Sequence, residues 1–225
     1  MLSFLFWNVN RKPVEDTISQ LASTHEVDVL ILAECLSSPA ALLGKLAEGG
    51  GDIFHFPSSR CEKIHIYTRF STDFLIPIPE ANRQTIRRLR LPAKTEILLT
   101  ATHSRGKLHS TGHGQTIDCT ELARSISEAE EEVGHTRTVL VGDFNMNPFE
   151  AGVVAAGGLH AAMTRQIASE SSRIVQQRRY PYFYNPMWSY FGDGSEGPPA
   201  PITTEAEQEL LTFGTCSIKC WCGLN

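Results

Sequence analysis

Basic charge is what this chain most conspicuously lacks. Twenty lysines and arginines face 25 aspartates and glutamates, giving a net charge of −5 and a pI near 5.9. That balance argues against a general nucleic-acid binder, whose affinity rests on neutralising many phosphates. Long apolar runs are missing too: none approaches the ~18 residues of a membrane span. The N-terminus has no basic region and no cleavage site, so it does not read as a secretory signal, and cytoplasmic residence is the expectation. There is no internal repeat. The cysteines offer no paired framework: Cys35, Cys61 and Cys119 are scattered and predicted to be buried free thiols. Cys216, Cys220 and Cys222 form a C-x3-C-x-C cluster that invites zinc but has no partnered second pair. What remains is a chain of 225 residues, 41% apolar, able to bury one sizeable core.

The most informative stretch is Thr138–Pro148, TVLVGDFNMNP. Val139, Leu140 and Val141 read as a buried strand that stops at Gly142-Asp143-Phe144-Asn145. Residues i and i+2 of a strand share a face, so Asp143 and Asn145 are predicted to point together beyond the sheet edge. Ligands in open α/β sheets bind at such edges. Three other apolar runs end alike. Leu2–Val9 carries Asn8 near its end with Asn10 two residues on, Val27–Ala33 ends in Glu34, and Glu96–Thr102 ends in His103. Strand ends are turns and turns are polar, so one such residue would mean little; four strands delivering metal- or proton-competent groups mean more.

The order WNVN, AE, TH, GDFN resembles the endonuclease/exonuclease/phosphatase superfamily, which includes pancreatic deoxyribonuclease, abasic-site endonucleases, inositol polyphosphate 5-phosphatases and neutral sphingomyelinases. The resemblance runs over roughly residues 2 to 199. It implies an α/β fold, a four-layer sandwich with two central mixed β-sheets flanked by helices, and a metal-dependent phosphoesterase site. It also implies roles. Glu34 is the expected Mg2+ ligand (Mn2+ being the alternative), with Asn8 beside it as a neutral oxygen donor or phosphate holder. Asp143 would orient or deprotonate the attacking water, and Asn145 would hold that water or donate to a phosphate oxygen. His103 would donate to the phosphate as charge builds. Asn10 supports substrate binding. These types suit the reaction, because a hard cation with few carboxylates and several waters offsets the phosphoester's charge.

The basic segment Arg83, Arg87, Arg88, Arg90 reads foremost as a strand with one solvated face. Arg105 and Lys107 follow the strand ending in His103 and are better placed for phosphate; Arg105 is taken as substrate-binding. Helices are expected from Pro13 on (with Ile18, Leu21 and Ala22 at helical spacing), at Pro39–Glu48, at Gln115–Val133 and briefly at Phe149–Ala156. Residues 52–102 read as a run of strands, and 165–199 as a long loop. Its aromatics, Tyr180, Tyr182, Phe183, Tyr184, Trp188 and Tyr190, read as packing before they read as a substrate wall.

After Pro199 the character changes. The superfamily closes its site with a further Asp and then an Asp-His pair, and this chain has no such pair. Residues 1–199 are read as an incomplete endonuclease/exonuclease/phosphatase-like domain lacking its last strands, and 200–225 as an aberrant tail. Back-translated from Pro199 with permissive third bases and read one nucleotide early, the tail gives PGTYYYRSGAGVINFWNMFDQVLVRPEL, which resembles what the family carries there. On this reading the tail is out of frame, its cysteine cluster accidental, and the chain as given impaired. The leading function is a metal-dependent phosphodiesterase or nuclease. The alternatives are a phosphomonoesterase or lipid phosphodiesterase on the same site, and a non-catalytic protein. The partner is a phosphoester substrate, with nucleic acid among the candidates.

Overall fold

Apolar runs without polar interruption become buried strands here, and the amphipathic runs become the helices that return the chain between them. The computed structural model describes residues 2–48 and 53–186 and the strand at 210–213. The chain divides into two compact units, Met1–Ile97 with Glu207–Cys216, and Leu98–Ala206 with Ser217–Asn225.

In the first unit, β1 (Leu2–Asn8) and β2 (Val29–Ala33) run parallel, with Phe4 opposite Val29 and Asn8 opposite Ala33. Parallel neighbours need a crossover, and α1 (Glu15–Thr24) supplies it. Glu15 and Asp16 in its first turn sit favourably at the positive end of the helix dipole. Pro39 opens α2 (Pro39–Ala47), whose Ser38 cap accepts the Ala41 N–H at 3.2 Å. β3 (Ile64–Thr68) pairs antiparallel with β2, and β12 (Leu210–Phe213) pairs antiparallel with β1, giving a mixed sheet ordered β12-β1-β2-β3. Every residue of β2 is buried. Leu30 and Leu32, on one face, join Ile18 and Ala22 of α1 and Leu42 and Leu46 of α2 in a single core.

The strand run read over 52–102 needs two corrections. Of the described residues in GDIFHF, His55 forms an isolated bridge to Thr68 in place of a strand, and Thr72–Phe74 is a 3-10 turn capped by Ser71. β4 (Leu75–Ala81) and β5 (Gln84–Leu89) then form an antiparallel hairpin with a register shift between Pro77 and Glu80. The solvated-face reading of the arginines fails at Arg87, which is 1% exposed. Its guanidinium makes three contacts: 2.5 Å to Glu80 Oε1, 3.0 Å to the Ser58 carbonyl and 3.2 Å to Thr85 Oγ1. Arg88 and Arg90 meet Glu96.

In the second unit, β6 (Ile97–His103) and β7 (Thr138–Asp143) pair in parallel across α3 (Gly112–Val133). Thr111 caps α3, which ends on Gly134 in the left-handed conformation, φ 74°. Its buried stripe is Gln115, Cys119, Leu122, Ile126 and Ala129, stepping by four and three. Burial pushes the Cys119 thiol up to about 12, which leaves it inert. Cys61 is buried as expected, whereas Cys35 is only half-buried; Cys216, Cys220 and Cys222 lie outside the described residues.

The segment read as a long loop is more ordered than its composition suggested. It holds α5 (Arg165–Ser169), a hairpin of β9 (Ser172–Val175) and β10 (Arg178–Pro181), and β11 (Phe183–Tyr184). β11 pairs in parallel with β8 (Ala161–Ala162). The short helix expected at 149–156 is α4 (Ala151–Val154). Phe183 is buried and Tyr182 stacks on His160 at 4.1 Å, so these aromatics pack as expected; Trp188 and Tyr190 lie outside the described residues. The chain is α/β, with mixed sheets and helices, as its sequence led us to expect.

The Arg87–Glu80 pair gives a test of the first unit. Burial alone would raise the Glu80 carboxyl; the Arg60 N–H, the Arg87 charge and the Ser59 and Thr85 hydroxyls outweigh it and hold the group below its ordinary 4.5. A depressed folded value means full stabilisation above that ordinary value and loss as pH falls through the folded one. Glu80→Gln leaves a buried cation unpaired and is expected to cost about 3–5 kcal/mol at pH 7. Urea denaturation at pH 7 and in acid should show the variant losing less stability on acidification than the parent.

Candidate active site

Asn8 and Glu34 belong to the first unit, at the C-terminal ends of β1 and β2. Because Asn8 stands opposite Ala33, the residue before Glu34, parallel pairing alone brings the two positions side by side. Beyond them the chain is held by main-chain bonds: Val9 N–H donates to Ala33 O at 3.0 Å and Arg11 N–H to Glu34 O at 3.1 Å. Asn10, Arg11 and Glu34 all take left-handed φ, at 47°, 58° and 52°. Asn8 Oδ1 accepts the Asn10 N–H at 2.9 Å, so Asn10 serves to fix Asn8, and its own side chain is exposed. The Glu34 side chain is 23% exposed and its Oε2 lies 3.3 Å from Arg11 Nε.

His103, Asp143 and Asn145 belong to the second unit. β6 and β7 run in register to their ends, so His103 stands directly opposite Asp143. Gly142 makes this possible: a Cβ there would lie 2.1 Å from the Thr102 carbonyl oxygen. His103 and Asp143 are 7% and 2% exposed, with His103 Nε2 4.0 Å from Asp143 Oδ2. That gap is too long for a direct hydrogen bond, and it leaves room for a single oxygen about 2.8 Å from each atom. Asn145, with φ at 51°, turns back so that its N–H donates to Asp143 Oδ1 at 2.9 Å. Its Nδ2 donates to Ser104 O at 3.0 Å, committing one of the two amide hydrogens to the loop after β6.

The basic residues of that loop are engaged. Arg105 grips Asp118 with Nε and Nη2 at 3.0 and 2.6 Å, and Lys107 Nζ meets Glu150 Oε1 at 2.6 Å. A cavity of about 330 Å³ in this unit, lined by His113, Thr116, Met146, Glu150 and Gly152, takes in none of the residues picked from the sequence.

One residue escaped the sequence reading. Gln115, 1% exposed, sends Nε2 to two main-chain carbonyls, Arg105 O and Asn145 O, each at 3.0 Å. It therefore ties the loop after His103 to the turn after Asp143 from the first turns of α3. The signal was available: Gln115 heads a stripe that is otherwise apolar through Ala129, and a polar residue in a buried stripe has partners to satisfy.

Among the described residues no group of three or more His, Cys, Asp or Glu side chains stands together. The donor set of Glu34 and Asn8, one carboxylate with one amide oxygen, nonetheless fits Mg2+, which takes few protein ligands and keeps several waters. It does not fit a closed zinc site, which wants four soft or nitrogen donors.

No family model matches the chain, and no curated protein matches it. Solved structures do resemble it. The catalytic domain of human Nocturnin with bound sulfate anion is 15% identical, with 69% of this chain and 70% of that one covered at a TM-score of 0.48. Truncated Caenorhabditis elegans TDP2 is 13% identical over 80% of this chain and 81% of its own, at 0.46. An endonuclease/exonuclease/phosphatase family protein from Leptotrichia buccalis C-1013-b is 15% identical over 77% and 74%, at 0.40.

Two substitutions probe this arrangement. Gly142→Ala must displace the β6 backbone and is expected to lower stability by more than the about 1 kcal/mol typical of a point substitution, read by thermal denaturation. Gln115→Met keeps the length and donates nothing. It should cost about 1–3 kcal/mol and speed amide hydrogen exchange at residues 104–108 and 145–148 while leaving β1–β3 unchanged.

Proposed function

We propose that this chain, whose fold is like that of endonuclease/exonuclease/phosphatase superfamily structures, is a phosphoester hydrolase that uses Mg2+ and acts on phosphodiesters. The observation that carries the reading is the buried His103–Asp143 pair, closed by Asn145, at the C-terminal ends of two adjacent parallel strands. Buried acid–imidazole pairs at such an edge are far more useful to proton transfer than to folding, since each group must be desolvated to stand there.

The roles follow from the atoms. Asp143, its Oδ1 held by the Asn145 N–H, presents Oδ2 toward His103; that oxygen orients the attacking water and accepts its proton. The His103 ring N–H donates to a phosphoester oxygen as negative charge gathers there. Asn145 holds the carboxylate in place, with a second amide hydrogen left for water or phosphate. Glu34 and Asn8 would hold the cation, which when bound neutralises the phosphoester oxygens. Arg105 serves as substrate-binding residue only by releasing Asp118.

The test is hydrolysis of bis-p-nitrophenyl phosphate and of plasmid DNA, with Mg2+ or with EDTA. Turnover should require Mg2+, fall by about 10²–10⁴ in Asp143→Asn, and be abolished in Glu34→Gln. Unchanged turnover in Glu34→Gln would remove the cation assignment. Turnover on the p-nitrophenyl monoester alone would move the reading to a phosphomonoesterase. We also hold the tail after Pro199 to be out of frame, so a version with the frame restored should be the more active. Activity in neither version would leave a non-catalytic protein.

A further inference from the structure

Several arginines of this chain are committed to carboxylates. Arg87, Arg88, Arg90, Arg105 and Arg124 each meet a carboxylate. Arg165, Arg173, Arg178 and Arg179 are all exposed, and among the described residues none of these four is paired with a carboxylate. They lie within 15 residues of sequence whose only acidic member is Glu170, in a chain whose net charge is −5. Such a local excess of cation in an acidic chain is a field available to something outside the chain.

The backbone gives that charge a shape. Gln176 and Gln177 both take left-handed φ, 47° and 63°, and connect β9 directly to β10 in a two-residue turn. Side chains opposite one another across an antiparallel pair share a face. Tyr180 stands opposite Arg173, and Arg178 lies two residues before Tyr180, so Arg173, Arg178 and Tyr180 occupy one face of the ribbon. The Arg178 guanidinium lies 5.6 Å from the Tyr180 ring centroid. Tyr180 in turn packs edge-on to His160, and Tyr182 stacks on the same imidazole. Beside them Arg165 lies 5.6 Å from the Tyr184 ring. The tyrosines are half-buried, so each is fixed from one side and open on another.

From this geometry we infer that the β9–β10 hairpin, with Tyr182 and Tyr184 beside it, is a docking surface for single-stranded nucleic acid. The charge is spread along a ribbon rather than converging on one point, which suits a chain of phosphates better than a single phosphate group. Partly open aromatic rings interleaved with arginines suit unpaired bases, which stack on such platforms without regard to sequence. A bare polyanion would use the arginines and ignore the tyrosines; an anionic membrane would call for several apolar residues on the same face, whereas that face of the hairpin carries one aliphatic side chain, the half-buried Val175 opposite Arg178, and Ile174 is on the other. Docking here needs no turnover, so it stands or falls separately from the hydrolase reading.

The test is anisotropy of a labelled oligothymidylate of about 20 nucleotides, titrated with the full chain in EDTA so that no divalent-dependent cleavage intervenes. The parent should bind it more tightly than a duplex of equal length or an inorganic polyphosphate. Arg173→Ser with Arg178→Ser should weaken binding about tenfold and flatten the slope of log K against log salt by about 1–2. Tyr180→Leu should weaken the oligonucleotide and spare polyphosphate, while Arg124→Ser on α3 changes neither. Thermal denaturation checks that each variant is folded, and the two arginines are exposed enough that their loss leaves the core intact. No binding by the parent, unaltered binding by the double variant, equal affinity for polyphosphate, or binding only to phosphatidylserine vesicles would each overturn the inference.

Discussion

The closeness of β6 to β7 is the constraint on which the second unit's chemistry depends. The two strands are so near at their ends that position 142 has no room for a Cβ against the Thr102 carbonyl. Glycine there lets the ladder run on to His103 and Asp143, and one bond further to Ser104 N–H on Asp143 O at 2.8 Å. Only after that does the chain turn, at Asn145. A bulkier residue at 142 would end the pairing earlier and leave the imidazole and the carboxylate on separate loops. Placement of the pair is thus a property of backbone packing, and loop chemistry enters afterwards through Asn145 and Gln115.

The first unit uses the same device with a different outcome. β1 and β2 pair in parallel up to Asn8 and Ala33, and the chain then leaves the ladder through residues in left-handed φ. None of Asn10, Arg11 and Glu34 is glycine, so each holds a conformation costing on the order of 1 kcal/mol or more. The main-chain bonds from Val9 and Arg11 to the end of β2 offset that cost and fix where the Glu34 carboxylate stands.

Strand identity and strand ends were legible because both depend on local pattern. Unbroken apolar runs gave β1, β2, β6 and β7, and the polar residue closing each run marked its end. What escaped depended on contacts distant in sequence. Nothing in NRQTIRRLRL says that Arg87 would find Glu80 and go inside while Arg88 stays half-buried at Glu96. Nothing in HSRGK says that Asp118, on the following helix, would take the Arg105 fork. The segment after Arg165 misled for another reason. Its turn is Gln-Gln, not the Asn-Gly that announces a two-residue hairpin, so the strands on either side passed as irregular chain. Gln115 was visible yet unread, since a single polar residue in an apolar stripe is noticed only when its burial is taken seriously.

Charge pairing links these observations. An arginine whose fork is filled by a carboxylate is committed to structure, and the bidentate geometry makes the commitment specific. Arg87 is the extreme case: it is desolvated with its partner, and removing either partner is worse than never having had the pair. At the surface the same contact is worth little, because water competes and salt screens it. Arg105 on Asp118, at 46% and 31% side-chain exposure, is of this second kind, so exchanging the carboxylate for a phosphate would cost the fold little. The hairpin arginines go one step further, with no carboxylate partner among the described residues. A chain rich in acid could have neutralised them with one neighbouring glutamate, and the ribbon that carries them instead presents tyrosines. The gradient from Arg87 through Arg105 to Arg173 and Arg178 therefore runs from charge that holds the fold to charge that is available for a partner.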